Sequence, residues 1–302
     1  MNGTFRNVLC PVYFDEASTA AVDYARLFAG QDDGMVHLLH VVPTDEFHLH
    51  SRIYRPEEAG GADARWAERV ARERLEEIAR ERFGGLRCQT VTRVSGDAAA
   101  AILEAARAVG ADLLVMATHA RTGLARLLRG SVAERAVREA PCPVFTTRGA
   151  QPPAAAPRKI LVPIDIGYEP GPALALAARM AQRSDGTVYL LHVVPTEEIY
   201  LLRDVYRPDE GGGTANVVWA EKVAREKLGE IARMRLAGVR SEAVVHVGDD
   251  PARTIMEVEQ DLGAQLLVMA THGMTGILRL IVGSLTERLV RESLCPVLSM
   301  RE

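Results

Sequence analysis

Two tandem doubly wound α/β domains, each with a mainly parallel five-stranded sheet flanked by helices, are what this sequence predicts. Three observations lead there. A long pattern recurs in order about halfway along the chain. Short runs of Val, Ile and Leu alternate with helical patterns, the rhythm of strand–helix–strand crossovers in a parallel sheet. Aromatic residues are only 5% of the chain while hydrophobic residues are 48%, so the core is built from Ala, Val, Leu and Ile, which suits strands covered on both faces.

The repeat sets the domain boundaries. His40-Val41-Val42-Pro43-Thr44 recurs as His192-Val193-Val194-Pro195-Thr196, and Tyr54-Arg55-Pro56 as Tyr206-Arg207-Pro208. Trp66-Ala67-Glu68 recurs as Trp219-Ala220-Glu221, Val115-Met116-Ala117-Thr118-His119 as Val268-Met269-Ala270-Thr271-His272, and Cys142-Pro143-Val144 as Cys295-Pro296-Val297. One added residue near Gly60-Gly61 and Gly211-Gly212-Gly213 accounts for the change in offset. Residues 1–148 therefore form a first domain and 158–302 a second. Residues 149–157, rich in Ala and Pro, are a semi-extended linker.

The second copy shows the elements in order. Ile160 to Ile164 is a short apolar run and a buried strand, and Pro172 to Gln182 an Ala-rich helix. An Asp185-Gly186 turn leads to a strand over Val188 to Val194. Trp219 to Met234 is a charged helix whose Ala220, Ala224, Leu228 and Ile231 share one face. Ala243 to Val247 is a strand, and Pro251 to Gln260 a helix with Pro in its first turn. Leu266 to Ala270 is a strand, Leu278 to Ser293 a helix and Val297 to Met300 the last strand. The first copy follows the same order.

Composition excludes several classes. A net charge of −4 and a pI near 6.1, with Lys and Arg interleaved with Glu, leave no basic face for nucleic acid. No apolar run is long enough to span a membrane, and Met1 to Phe14 lacks a signal-peptide layout. Cys10, Cys88, Cys142 and Cys295 show no paired spacing and read as reduced, mostly buried thiols of a cytoplasmic protein.

In such sheets ligands lie beyond the carboxyl ends of the strands, where the strand order reverses. The stretch after the fourth strand of the second copy, Met269-Ala270-Thr271-His272-Gly273-Met274-Thr275-Gly276, then Gly283-Ser284, stands at that place. Gly273 and Gly276 permit close backbone approach. Gly283-Ser284 is read where a helix presents free N–H groups, a phosphate seat; the alternative is a turn with Ser284 as an ordinary helix cap.

This pattern resembles the universal stress protein family in its tandem form. Nucleotide-binding members of that family carry G-x-x-G, nine residues, then G-[S/T]. The matching positions here are Ala270, Gly273, Gly283 and Ser284, three of the four agreeing. The family's Asp at the end of the first strand matches Asp165, in Val162-Pro163-Ile164-Asp165. The resemblance implies a site for ATP, or for ADP or AMP, formed by Pro163, Asp165, Val193, Met269, Ala270, Gly273, Gly283 and Ser284. Val193 would touch the adenine, phosphates would lie on the Gly loop and Mg²⁺ would sit at Asp165. It also implies pairing of the two domains through their last strands, Val144 to Thr147 with Val297 to Met300, and a possible homodimer.

The first copy departs further. Its loop positions are Ala117, Ala120, Gly130 and Ser131, and Tyr13 stands where the second copy has Asp165. It is expected to bind nucleotide weakly or not at all. His119 and His272 are read as supporting the turn, with donation to phosphate as the alternative. His37, His40, His48 and His50 invite a metal site, but the second copy has Tyr189, His192, Tyr200 and Leu202 there, and His37 and His40 lie on opposite faces of one strand. The long segments Pro43 to Gly61 and Pro195 to Gly213 are candidates for a lid or a docking arm. No Gly-Lys-[Ser/Thr] phosphate loop and no Ser-Gly-Gly-x-Asp-Ser loop is present, so the sequence points to a stress-response regulator with little or no catalysis. The alternatives are a nucleotide-free interaction scaffold and a slow ATPase.

Overall fold

Strands buried on both faces read as unbroken apolar runs, whereas edge strands alternate, and both kinds occur in this chain. In a computed structural model of the protein, residues 5–44, 64–118, 132–148, 155–167, 171–196, 214–271 and 279–301 are described, with backbone alone at 64, 214–216 and 279–284. The chain divides into two compact units, Met1–Ala154 and Ala155–Glu302.

The first unit runs β1 (Asn7–Pro11), α1 (Glu16–Gly30), β2 (Met35–Pro43), α2 (Ala64–Arg82), β3 (Arg87–Ser95), α3 (Ala98–Ala108), β4 (Leu113–Thr118), α4 (Val132–Glu139) and β5 (Val144–Arg148). Its sheet has the order β3-β2-β1-β4-β5 with every pairing parallel. The second unit repeats it with β6 (Lys159–Pro163), α5 (Pro172–Ser184), β7 (Thr187–Val194), α6 (Thr214–Arg235), β8 (Arg240–Val247), α7 (Pro251–Leu262), β9 (Leu266–Ala270), α8 (Arg279–Glu292) and β10 (Val297–Met300). Its parallel strands are ordered β8-β7-β6-β9-β10. The expected doubly wound architecture is thus present in both units.

The inner strands are sealed: Leu113 to Val115 and Leu266 to Val268 are fully buried. The edge strands β3 and β8 alternate between exposed and covered positions. That explains why β8 starts at Arg240 rather than at Ala243, since Arg240-Ser241-Glu242 carries no apolar run. Ala220, Ala224, Leu228 and Ile231 form the buried stripe of α6, as its helical spacing predicts. The Asp185-Gly186 turn and its counterpart Asp33-Gly34 place both Asp residues at φ 50°. A Cβ on Gly186 would lie 2.7 Å from the Arg158 carbonyl oxygen, so this close approach requires glycine.

Each unit carries an aspartate cap at the carboxyl end of its edge strand. Asp250 accepts from the Arg253 N–H at 3.1 Å and pairs with Arg288 of α8 at 2.8 Å; Asp97 does the same with Ala100 and Arg135. The Arg288 hydrogen bond and then the Arg253 N–H hold the Asp250 carboxyl below the usual carboxylate range. A depressed folded-state pKa gives stability that is present above the unfolded value and lost as pH falls through the folded one. Asp250→Ala should therefore cost about 1 kcal/mol at neutral pH. Urea denaturation should show that difference shrinking once the pH drops below the ordinary carboxylate range.

One local expectation changes. Helix α8 begins at Arg279, so Gly283 and Ser284 lie inside its backbone span rather than at its free N–H groups. Ile281, Leu285 and Leu289 recur at helical spacing and carry the helix through a glycine that costs about 1 kcal/mol.

Candidate functional site

The ladder between β6 and β9 consists of Ile160 with Leu266 and Leu161 with Leu267. Beyond it β6 runs on to Pro163 beside β7, while β9 runs on to Ala270 beside β10. The two strands part because the crossovers on either side of them wind in opposite directions. A crevice opens at their carboxyl ends, the place where doubly wound sheets bind ligands. The same parting follows Leu9 and Leu114 in the first unit.

Asp165 lies at this crevice, two residues past the end of β6. The chain entering it is anchored twice: the Ile164 N–H donates to the Leu191 carbonyl at 2.7 Å, and His192 Nδ1 donates to the Ile164 carbonyl at 2.8 Å. A carbonyl only accepts, so His192 carries its proton on Nδ1. The Asp165 side chain is exposed and its Oδ1 accepts from the Gly167 N–H at 2.9 Å. Among the described residues Oδ2 has no hydrogen-bond partner, so it is available as an acceptor for a sugar hydroxyl or a ligand for a hydrated cation.

Pro163 and Val193 are half-buried at the ends of β6 and β7, and Val193 is in register with His246. Met269 is buried and Ala270 half-buried at the end of β9. Thr271 turns the chain there, its N–H and hydroxyl both donating to the Met300 carbonyl at 2.8 and 3.3 Å. The structure thus sets Pro163, Asp165, Val193, Met269 and Ala270 at the carboxyl ends of neighbouring strands. Gly273 lies outside the described residues, as do Gly276, His272 and His119, and only the backbone of Gly283 and Ser284 is described. A single available carboxylate oxygen suits Mg²⁺, which keeps several waters and is held by one or two carboxylates together with phosphates.

The first unit builds the same frame with different occupants. His40 Nδ1 donates to the Val12 carbonyl at 2.7 Å, matching His192. Tyr13 replaces Asp165; burial, with Asp15 adding to it, pushes its hydroxyl up to about 12, so it stays neutral. Its N–H donates to Ser18 Oγ at 2.9 Å, and Ser18 is tied by its own N–H and hydroxyl to Asp15, the cap of α1. Ala117 is buried, while Ala120, Gly130 and Ser131 lie outside the described residues.

The structural bond of His40 and His192 is not legible in the sequence beyond the recurrence of the same residue in both copies. His37 is buried, has neither ring nitrogen hydrogen-bonded, and burial lowers its pKa. His48 and His50, and segments 45–63 and 197–213, lie outside the described residues. The four cysteines are free thiols, Cys10, Cys142 and Cys295 being buried. Among the described residues no helix is long and apolar enough to cross a membrane.

Comparison with known proteins finds the universal stress protein family over residues 4–148 and again over 157–301. A universal stress protein of Methanocaldococcus jannaschii is 30% identical over 146 residues, spanning 48% of this chain and 82% of that protein. One of Mycobacterium tuberculosis is 29% identical over 198 residues, spanning 64% of this chain and 62% of that protein. The crystal structure of a universal stress protein from Archaeoglobus fulgidus shares the fold with a TM-score of 0.70 at 19% identity, over 100% of this chain and 98% of that one. With both halves matched in turn and the doubly wound frame present in each, the chain belongs to the universal stress protein family.

Proposed function

We propose that the second unit binds an adenine nucleotide, ATP-like and with Mg²⁺ at Asp165, and that the protein is a cytoplasmic stress-response regulator rather than a catalyst. The observation that carries this reading is the Asp165 carboxylate. It is exposed at the mouth of the crevice, on a backbone anchored by Leu191 and His192. In this reading Pro163 and Val193 flank the base, and Met269, Ala270 and Gly273 line the approach to the phosphates. Gly283 and Ser284 receive the phosphates after α8, which spans Arg279–Glu292, shortens to start at that pair. A phosphate would offset the lost helical turn, because the new first-turn N–H groups and the helix dipole both favour an anion.

Melting temperature measured with increasing MgATP tests this. Wild-type protein should gain about 2.7 kcal/mol of stability at a hundred times Kd. Asp165→Ala should melt within about 0.5 kcal/mol of wild type without ligand, being an exposed site, yet bind at least about tenfold more weakly. Equal ligand-induced shifts in the two proteins would remove Asp165 from the site. No shift in wild type would favour a nucleotide-free scaffold.

A further inference from the structure

Phe14 has φ 59°, in the left-handed region that bulky side chains avoid. Asp33 and Asp185 also have positive φ, but Asp tolerates it through local hydrogen bonding, and Ile166, the counterpart of Phe14, does not adopt it. A strained backbone persists only where its surroundings over-determine it. Here they do so from both sides. Behind Phe14 the loop is pinned by the Tyr13–Ser18–Asp15 bonds. In front, the ring lies 4.4 Å from the His40 imidazole, centroid to centroid, at an interplanar angle of 33°. The Arg74 guanidinium carbon stands 5.7 Å from the ring centroid, and Phe14 packs on the buried cluster of Val42, Ala67 and Ala71, against which Trp66 and Val70 also pack.

The location gives this arrangement meaning. Phe14 follows the carboxyl end of β1, and His40 is near the end of β2, beside the crevice where β1 and β4 part. An imidazole on one side of a flat ring, a guanidinium within cation–π range and aliphatic walls are what a nucleobase needs for stacking. We infer that Phe14 is the built-in occupant of a ring-binding seat in the first unit, excluding nucleotide from it. With the ring removed, the seat formed by His40, Arg74 and the aliphatic side chains of Val42, Ala67 and Ala71 takes a planar heteroaromatic of the nucleobase class. This rests on the crevice being a base seat, as proposed for the second unit, but it concerns a separate site.

Phe14→Gly is the test, since glycine suits this φ and opens the seat. Adenosine is the probe, because it does not depend on the phosphate loop, which has lost two glycines in this unit. Equilibrium dialysis of full-length protein with labelled adenosine up to millimolar concentration should give one more site per chain in Phe14→Gly than in wild type. Phe14→Leu, which refills the seat, should add none. Adding Arg74→Ala to Phe14→Gly should weaken the new site roughly three- to tenfold. The wild-type count bears on the second unit, and the increment bears only on this proposal. A cooperatively melting Phe14→Gly protein with no added site overturns it, as does an added site in Phe14→Leu. Should Phe14→Gly not fold, NMR decides: the His40 ring protons should move downfield in Phe14→Leu as the stacked ring is lost, and unchanged shifts overturn the proposal.

Discussion

Glu259→Ala is expected to destabilise the second unit by about 3 kcal/mol. Glu259 is 2% exposed, and both carboxylate oxygens are occupied. Oε1 accepts from the Cys295 N–H at 2.5 Å and Oε2 from the Ser293 hydroxyl at 2.8 Å. The carboxylate thus holds the turn that delivers the chain into β10. Burial, with Glu259 adding to it, also pushes the Cys295 thiol well above its ordinary range, so that thiol stays protonated. Truncation strands a buried N–H and a buried hydroxyl, and each loses a hydrogen bond to a charged group. The first unit solves the same problem without polar groups: Ala106 and Ala140, at 0% and 4% exposure, occupy the positions of Glu259 and Ser293. Glu259→Ala/Ser293→Ala should therefore recover about 1 kcal/mol relative to Glu259→Ala alone, because the stranded hydroxyl is gone. Urea denaturation of wild type, Glu259→Ala, Ser293→Ala and the double variant measures both quantities. Independent, additive losses would show that the carboxylate and hydroxyl do not act as a pair.

His192→Ala should cost a similar amount, about 3 kcal/mol, through the volume of a buried ring and the orphaned Ile164 carbonyl. His192→Asn separates the two terms. Its side-chain amide nitrogen stands about where imidazole Nδ1 stands, so it keeps the donor while losing ring volume, and it should recover about 1 kcal/mol. Because Ile164 immediately precedes Asp165, His192→Ala should also weaken MgATP binding several-fold, and His192→Asn should restore part of that affinity along with part of the stability. An alanine variant that binds MgATP as tightly as wild type would limit His192 to packing.

Much of this frame is legible along the chain because inner strands bury both faces. Leu266–Ala270 is a continuous apolar run and Val297–Met300 is broken only by the buried Ser299, and the observed bounds of both coincide with the expected ones. Where a side chain faces water the signal fades: β8 extends outward through Arg240-Ser241-Glu242, and α6 begins at Thr214 rather than Trp219. The position of Asp165 follows from Pro163-Ile164-Asp165 closing a strand. What binds its backbone does not, because His192 reaches a carbonyl 28 residues away that becomes a neighbour only when β6 and β7 pair. The conformation of Phe14 is equally hidden, since nothing in Tyr13-Phe14-Asp15 announces a positive φ. At Gly283-Ser284 two local signals compete, a glycine that suggests a helix boundary and an apolar spacing that continues the helix, and in the structure the spacing prevails.

Of the two similar units, only the second is expected to carry a nucleotide site. Equilibrium dialysis of labelled ATP with Mg²⁺ against full-length protein tests it most directly. One site per chain is expected, kept in Tyr13→Phe and weakened at least about tenfold in Asp165→Ala. Two equivalent sites per chain, or one site indifferent to Asp165, would contradict it.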